Sequence, residues 1–261
     1  MEINLHNKNA LVGASTRGIG LAIAQQLASC GASVTLMARN EDKLKHSLSQ
    51  LDRSASQQHR YLVVDFSNYA AMKTATKAFL DQYPIDILVN NTNGPKEGHV
   101  LETSETDYQD AFQLLFQTHL HISNLVLPHM LKNKWGRIIN VASLTVKEPA
   151  INLVLSNTIR TALMSWSKSL AQQIANQGIT VNSILTGMFD TKRIRELAAK
   201  QAKAKKISID DAFNRRIQQI PMKRLGQPVE YGYLVAFLAS DLAAYITGAE
   251  IPLDGGLMKG F

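Results

Sequence analysis

The chain has 261 residues, 45% hydrophobic and 19% charged, a globular composition that excludes a disordered chain. Net charge is +7, and the single cysteine, Cys30, excludes an internal disulfide framework and fits a reducing compartment. No apolar run reaches the roughly 20 residues of a membrane span, and the polar start at residues 1–9 has no apolar segment of a signal peptide, so a cytoplasmic protein without a membrane partner is expected.

Short apolar runs and helical patterns alternate along the chain. Residues 10–12 read as a first strand, followed by a glycine-bearing turn. Between 18 and 30, Ile19, Ile23 and Leu27 recur every fourth position, which is helical spacing, and Gly31 closes that helix. Residues 33–38, 61–64, 85–89, 137–141 and 179–184 read as buried strands. Helices are predicted over 42–51, 69–82, 105–132 and 157–177, then over 229–240, with 249–253 as a last strand. Strands that are apolar throughout, separated by helices, predict an α/β single domain over 1–261: a doubly wound parallel sheet with helices on both faces.

Residues 188–224 interrupt this alternation and are expected to form a helical excursion. Between Lys192 and Arg224 lie eleven basic residues against Glu196, Asp210 and Asp211, so this segment carries +8 and the rest of the chain −1. Two readings stand: a patch that draws in an acidic partner, or a solvated helical face whose buried side is Ile194, Leu197, Ile207, Phe213 and Ile217. A nucleic-acid binder adds a reading motif to its basic patch; none is present, and no nucleic acid is expected.

The turn after the first strand is Gly13-Ala14-Ser15-Thr16-Arg17-Gly18-Ile19-Gly20. A strand, a glycine-rich turn and a helix start form a phosphate cradle, because glycine lets backbone approach closely and the free N–H groups of the helix start face an anion. With this turn, and with the motifs that follow it in order, the chain resembles the short-chain dehydrogenase/reductases, whose first turn reads Thr-Gly-x-x-x-Gly-x-Gly. Gly13 stands at the family's threonine and Ala14 at its first glycine. Asp65 matches an acidic residue beside the adenine. Asn90-Asn91-Thr92-Asn93-Gly94 resembles the family's Asn-Asn-Ala-Gly. Asn140-Val141-Ala142-Ser143 resembles the strand end that carries the active-site serine. Thr186-Gly187-Met188-Phe189-Asp190-Thr191 resembles the loop over the nicotinamide, with Thr186 in place of proline. The resemblance implies a Rossmann-type fold, a homo-oligomer (dimer or tetramer), and 188–224 as a loop over the substrate. It also implies cofactor contacts from Gly13, Ser15, Thr16, Arg17, Gly18 and Ile19, from Asp65 and Phe66, from Asn91 and Thr92, and from Gly187, Phe189 and Thr191.

Arg39 follows the second strand. In this type of sheet an acid at that place bonds the ribose 2′-hydroxyl of NAD, whereas an arginine suits the 2′-phosphate of NADP. With Arg17, two guanidiniums can bind that phosphate, so NADP(H) is the expected cofactor. The alternative is a solvated loop cation at Arg39, and Glu41 nearby keeps an NAD reading open.

The family pattern has tyrosine thirteen residues after the serine and lysine four further on. Those positions are Ser156 and Arg160 here, and a helical asparagine of the family falls on Leu115. A serine is too weak an acid to stand in for tyrosine unaided, and arginine stays protonated while still supplying charge. The expected catalytic set is Ser143, Lys147, Ser156 and Arg160. Lys147 is a candidate replacement acid, or else a surface lysine paired with Glu148. A similar Ser-Leu-Thr-Val-Lys-Glu-Pro segment marks a tyrosine-lacking, acyl-carrier-protein-reductase-like subset of the family.

His119 and His121 fall on different faces of one helix and His129 lies eight residues beyond, so no metal site is expected. No Gly-x-Ser-x-Gly elbow, cysteine pair or His-Glu-x-x-His motif is present. The expected function is an NADP(H)-dependent oxidoreductase reducing a carbonyl substrate, with a 3-oxoacyl thioester among the candidates. The alternative is a non-catalytic NADP(H)-binding sensor or scaffold.

Overall fold

The computed structural model describes residues 2–260. Seven strands, β1 (Asn9–Gly13), β2 (Ser33–Ala38), β3 (Arg60–Val63), β4 (Ile87–Asn90), β5 (Gly136–Val141), β6 (Ile179–Thr186) and β7 (Glu250–Leu253), form one sheet. Its order is β3-β2-β1-β4-β5-β6-β7, and every pairing is parallel. The chain leaves one edge at β3 and returns to pair β4 with β1, so the strand order reverses between those two strands. In such sheets a crevice opens at the carboxyl ends of the strands on either side of the reversal.

Apolar side chains on both sheet faces dictate two layers of helices. On one face, Val12, Val34, Leu36 and Ile139 pack with Ile23 and Leu27 of α1 (Gly18–Ser29) and with Leu44 of α2 (Glu41–Leu48). On the other, Leu11, Leu88, Ile138 and Val181 pack with Met72 of α3 (Tyr69–Leu80). The helix expected over 105–132 is divided. It runs as α4 (Glu105–Phe112), one π turn (Gln113–Gln117) and α5 (Thr118–Asn133). The Gln113 carbonyl accepts both the Thr118 amide, in the wider π register, and the Thr118 hydroxyl at 2.8 Å.

The helix expected from 157 starts three residues earlier, as α6 (Val154–Ile174), and ends in a 3-10 turn (Ala175–Gln177). The helix expected to end at 51 stops at Leu48, where the Ser49 hydroxyl takes the His46 carbonyl at 2.8 Å. Within 188–224 the chain forms α7 (Lys192–Lys205) and α8 (Ile209–Gln219). These two are held by apolar contacts among Ile194, Ile220 and Leu225 and among Ala198, Ala202 and Ala212. Of the buried side expected for a solvated helical face, Ile194 is buried and Leu197, Ile207, Phe213 and Ile217 are partly buried against these clusters. A last helix, α9 (Pro228–Ala239), packs on α1, where Gly232 leaves a Cβ only 2.9 Å from the Ala22 carbonyl. Among the described residues no helix is long and apolar enough to cross a membrane.

The turn after β1 is the tightest packing in the crevice. A Cβ at Gly13 would sit 2.1 Å from the Asn91 carbonyl oxygen, so only glycine fits there. Asn91 seals the contact by donating its side-chain amide to the Gly13 carbonyl at 3.0 Å. Ala14 next to it sits at φ +46°, in the left-handed region, which costs an L-residue roughly 1–2 kcal/mol. Ala14→Gly should relieve this strain. After the roughly 0.4–1 kcal/mol of extra chain entropy that glycine loses on folding, about 0.5–1 kcal/mol of stabilisation remains, a Tm rise of about 1–4 °C. Thermal unfolding of the variant checks this; an unchanged or lower Tm would show that Ala14 is unstrained.

Candidate functional site

The start of α1 faces the crevice with nothing to neutralise it. Gly18 opens the helix at φ +54°, and the residue before it, Arg17, is extended and makes no side-chain cap. No acid lies in the first turn. The N–H groups of that turn, with the positive end of the helix dipole, are therefore available to an anion. Ser15 is fully buried, accepts from the Met37 amide at 3.0 Å and donates its own amide to the Met37 carbonyl, so it fixes the turn to β2. The Thr16 carbonyl takes the Ser47 hydroxyl at 3.4 Å, and Ile19 packs into the core beneath. Thr191, the cap of α7, reaches to 3.3 Å from where a Gly18 Cβ would lie, so α7 begins over this turn.

Arg17 and Arg39 are exposed, and neither makes an ion pair among the described residues. Asp65 is held below the usual carboxylate range, first by the Ser67 hydroxyl and amide and then by the charge of Arg39. Glu41 is engaged elsewhere, by Lys45 at 2.9 Å and the Tyr61 hydroxyl at 2.9 Å. Phe66 is buried below Asp65 in the chain. Thr92, beside Asn91, is buried with a hydroxyl that has no partner. At the end of β6, a Gly187 Cβ would meet Asp254 at 2.5 Å, so the loop toward Thr191 needs glycine to pass. Phe189 in that loop is buried edge-on against Tyr231, with ring centres 5.3 Å apart.

Ser143 lies two residues beyond β5 and caps a 3-10 turn (Leu144–Val146). Its Oγ accepts from the Thr145 amide at 3.2 Å and the Thr145 hydroxyl at 3.0 Å, which leaves its own proton free to donate. Lys147 pairs with Glu250 at 2.6 Å, not with Glu148, whose carboxylate accepts the Lys259 and Gly260 amides. It lines a recess with Glu250, Lys168, Ser165 and Thr161. Ser156 is half-buried in the first turn of α6, one turn before Arg160.

Arg160 is 8% exposed and donates to the Val141 carbonyl at 2.7 Å. Burial lowers its pKa to about 10, with the Arg193 charge adding and Tyr231 opposing, so it remains a cation at neutral pH. No carboxylate pairs with it among the described residues. The contrast is Arg137, 2% exposed, which is neutralised by Asp241 at 2.9 Å and bonded to the Gly136, Gly178 and Ser240 carbonyls.

Three further groups stand at this end: His119, which the sequence offered only as a helix histidine, and Tyr231 and Arg193, to which it gave no role. His119 is 1% exposed with both ring nitrogens unpartnered. Burial first, and then the Arg160 charge, lower its pKa to about 3, so the ring is neutral. Its position one helical turn after Leu115 was the available signal. The Tyr231 hydroxyl is buried and 3.0 Å from that of Thr186, and burial pushes its pKa up. The Arg193 guanidinium lies against Gly94, with Nη2 at 2.9 Å from where a Cβ would be. His121 bonds Thr76 and His129 bonds Asp86. No cluster of three metal-ligating side chains occurs among the described residues.

A family model described as Enoyl-(Acyl carrier protein) reductase matches residues 13–258. The 3-oxoacyl-(acyl-carrier-protein) reductase of Aquifex aeolicus is 31% identical over 98% of this chain and 100% of its own length. Among solved structures, YwfH, an NADPH-dependent reductase involved in bacilysin biosynthesis, is 30% identical with a TM-score of 0.91, over 97% of this chain and 99% of its own. The L-sorbose reductase of Gluconobacter frateurii, in complex with NADPH and L-sorbose, is 27% identical with a TM-score of 0.93, over the whole of both chains.

The neutral His119 makes stability depend on pH. The unfolded imidazole takes up a proton near pH 6.5, whereas the folded one does so only near 3. The unfolded state thus binds more protons between these values, and stability falls as pH drops through this window, by at most about 1.4 kcal/mol per pH unit from this residue. His119→Leu should remove that part of the slope. Urea unfolding of both proteins at pH 6.0, 5.5 and 5.0 measures it; equal slopes would mean that His119 is protonated in the folded state.

Proposed function

This chain belongs to the short-chain dehydrogenase/reductase family, and from that premise we propose that it is an NADP(H)-dependent oxidoreductase that reduces a carbonyl compound. One observation carries the reading: the uncapped, acid-free start of α1 opens at Arg17, and neither Arg17 nor Arg39 has an ion-pair partner among the described residues. The residues fit the cofactor. Amides at Gly18 and Ile19 suit a pyrophosphate, and Arg17 and Arg39 suit a 2′-phosphate. Asp65 and Phe66 would flank the adenine, Asn91 and Thr92 the ribose side, and Gly187, Phe189 and Thr191 the nicotinamide side. YwfH and L-sorbose reductase, described with NADPH, support the same choice.

When bound, the nicotinamide supplies a hydride to the carbonyl carbon. Ser143 donates its free proton in a hydrogen bond to the carbonyl oxygen and so polarises it. Arg160 adds a buried positive charge that favours the developing oxyanion, but it holds its proton too tightly to deliver it. In the family pattern Ser156 stands at the tyrosine position, and its hydroxyl orients a solvent water that supplies the proton. The Lys147–Glu250 ion pair supports this route over Lys147 as the acid. Residues 188–224 would close over the substrate. A 3-oxoacyl thioester is one substrate class, after the carrier-protein reductases. Self-assembly into a dimer or tetramer is part of the reading, supported by the exposed apolar Leu101, Ile151 and Tyr245, as is a cytoplasmic setting, supported by the lone cysteine.

A second reading, an NADP(H)-binding sensor or scaffold without catalysis, is favoured by Ser156, Arg160 and Leu115, which stand where the family has its tyrosine, lysine and asparagine. It predicts NADPH binding without oxidation in the presence of any ketone, diketone or acetoacetyl thioester.

Two measurements check the proposal. NADPH should bind tighter than NADH by roughly ten- to a hundredfold, the worth of one or two charge-assisted bonds, and Arg39→Asp should erase or reverse the gap. Equal wild-type affinities would remove Arg39 from the site. Ser143→Ala should lower kcat by about a hundredfold or more, the loss of an oxyanion donor, with the NADPH Kd kept, while Lys147→Met keeps most of the turnover. A Lys147→Met enzyme slowed by about a hundredfold, as on loss of a general acid, would make Lys147 the donor.

A further inference from the structure

We propose that the substrate carries a carboxylate close to the reacting carbonyl, that is, a small oxo acid, and that Arg193 of α7 binds this carboxylate beside Arg160. The proposal rests on the reductase reading above and narrows its substrate class.

Arg193 is set apart from the other basic residues of its segment by where it packs. Its guanidinium lies on Gly94, with Cζ and Nη1 3.3 Å and Nη2 2.9 Å from where a Cβ would stand. Gly94 follows β4 by four residues, on the strand-end side that also holds Asn91 and the buried, unpartnered hydroxyl of Thr92. Arg160 reaches the same end of the sheet from α6, through its bond to Val141 at the tip of β5. The two cations are close enough for the charge of Arg193 to disfavour that of Arg160. Two neighbouring cations repel each other unless an anion lies with them.

No acid among the described residues supplies that anion. Among the described residues the nearby acids are engaged by other cations: Asp190 by Arg195 at 2.8 Å, Glu97 by Lys200 at 2.8 Å and Glu196 by Lys192 at 3.8 Å. His119, the other titratable ring beside Arg160, is neutral. Nor is the cofactor phosphate the natural occupant, since Arg17 and Arg39 serve it on the β1–β2 side. The planar fork of an arginine matches a carboxylate with two parallel hydrogen bonds. In the reaction the carbonyl carbon gains the hydride as NADPH becomes NADP+, the oxygen gains the proton, and the carboxylate leaves unchanged on a hydroxy acid.

The test has a turnover arm and a binding arm. In the first, acetoacetate, 2-oxobutyrate and 2-oxo-4-phenylbutyrate are compared with their methyl esters, and acetoacetate also with the acetoacetyl thioester of N-acetylcysteamine, following NADPH loss. At least one acid should exceed its ester about fiftyfold or more in kcat/KM, of the order expected for a charge-assisted hydrogen bond. In Arg193→Gln the ratio should fall to about fivefold or less, through KM, with partial recovery in Arg193→Lys. Gly94→Leu, which displaces the same guanidinium without removing it, should act like Arg193→Gln. Esters or the thioester matching the acids throughout, or a ratio unmoved in Arg193→Gln, would overturn the assignment.

In the second arm, the NADP+ complex is titrated with benzoate, hexanoate and 4-phenylbutyrate against the matching amides, and with phenylphosphonate. At least one carboxylate should bind about tenfold tighter than its amide, and Arg193→Gln should abolish the difference. No preference for any carboxylate, or a phosphonate preferred over benzoate, would overturn the proposal. A carboxylate preference without turnover of any substrate would sink the reductase reading and leave the anion site standing. Turnover without such a preference would do the reverse.

Discussion

The buried guanidinium of Arg160, bonded to the last carbonyl of β5 and, among the described residues, paired with no acid, is the constraint around which this end of the molecule is arranged. A buried charge without a partner costs several kcal/mol, and the chain carries an internal control. Arg137 is buried at the opposite end of the same strand, and there the sequence provides a carboxylate, three carbonyls and the Trp135 ring. At Arg160 it provides one carbonyl. Proteins keep such an uncompensated charge where something else binds to it.

The surroundings keep that charge available. Asn140 donates to Ser167 of α6 and to Ser183 of β6, and accepts from Asn90, so a buried polar chain fixes α6 across the strand ends. His119 is held neutral and Tyr231 is held protonated by burial, so neither offers a counter-charge. The crevice therefore has two positive ends. One is the start of α1 with Arg17 and Arg39, suited to the phosphates of a dinucleotide; the other is Arg160 with Arg193, suited to a small anion. Ser143 is positioned near the second by the tip of β5.

The sheet was legible because its strands are apolar on both faces and each is closed by a turn or helix signal. The cradle and Arg39 were legible because strand ends fix what comes next. Other features were hidden for identifiable reasons. The π turn leaves the apolar period intact on either side of Leu115, so 105–132 reads as one helix. Lys147 has Glu148 as its sequence neighbour, but only the β6–β7 pairing brings Glu250 to it. Arg193 is one of eleven basic residues in a stretch of similar composition, and only the fold shows that its exposed guanidinium lies on Gly94. His119 is buried just after the π turn that packs against α6, a contact that helical spacing alone does not reveal.

Catalysis by fixed charge and hydrogen bonding, with Arg160 cationic and His119 neutral, is the central claim for the residues around the carbonyl. Its most direct test is the rate of a single hydride transfer, measured by rapid mixing of substrate with the NADPH complex across pH 6 to 9. Arg160, with a pKa of about 10, stays charged and His119, at about 3, stays neutral over that range, so the rate should be level. A limb falling tenfold per pH unit, with a midpoint between 7 and 9, would reveal a side-chain acid and contradict the account.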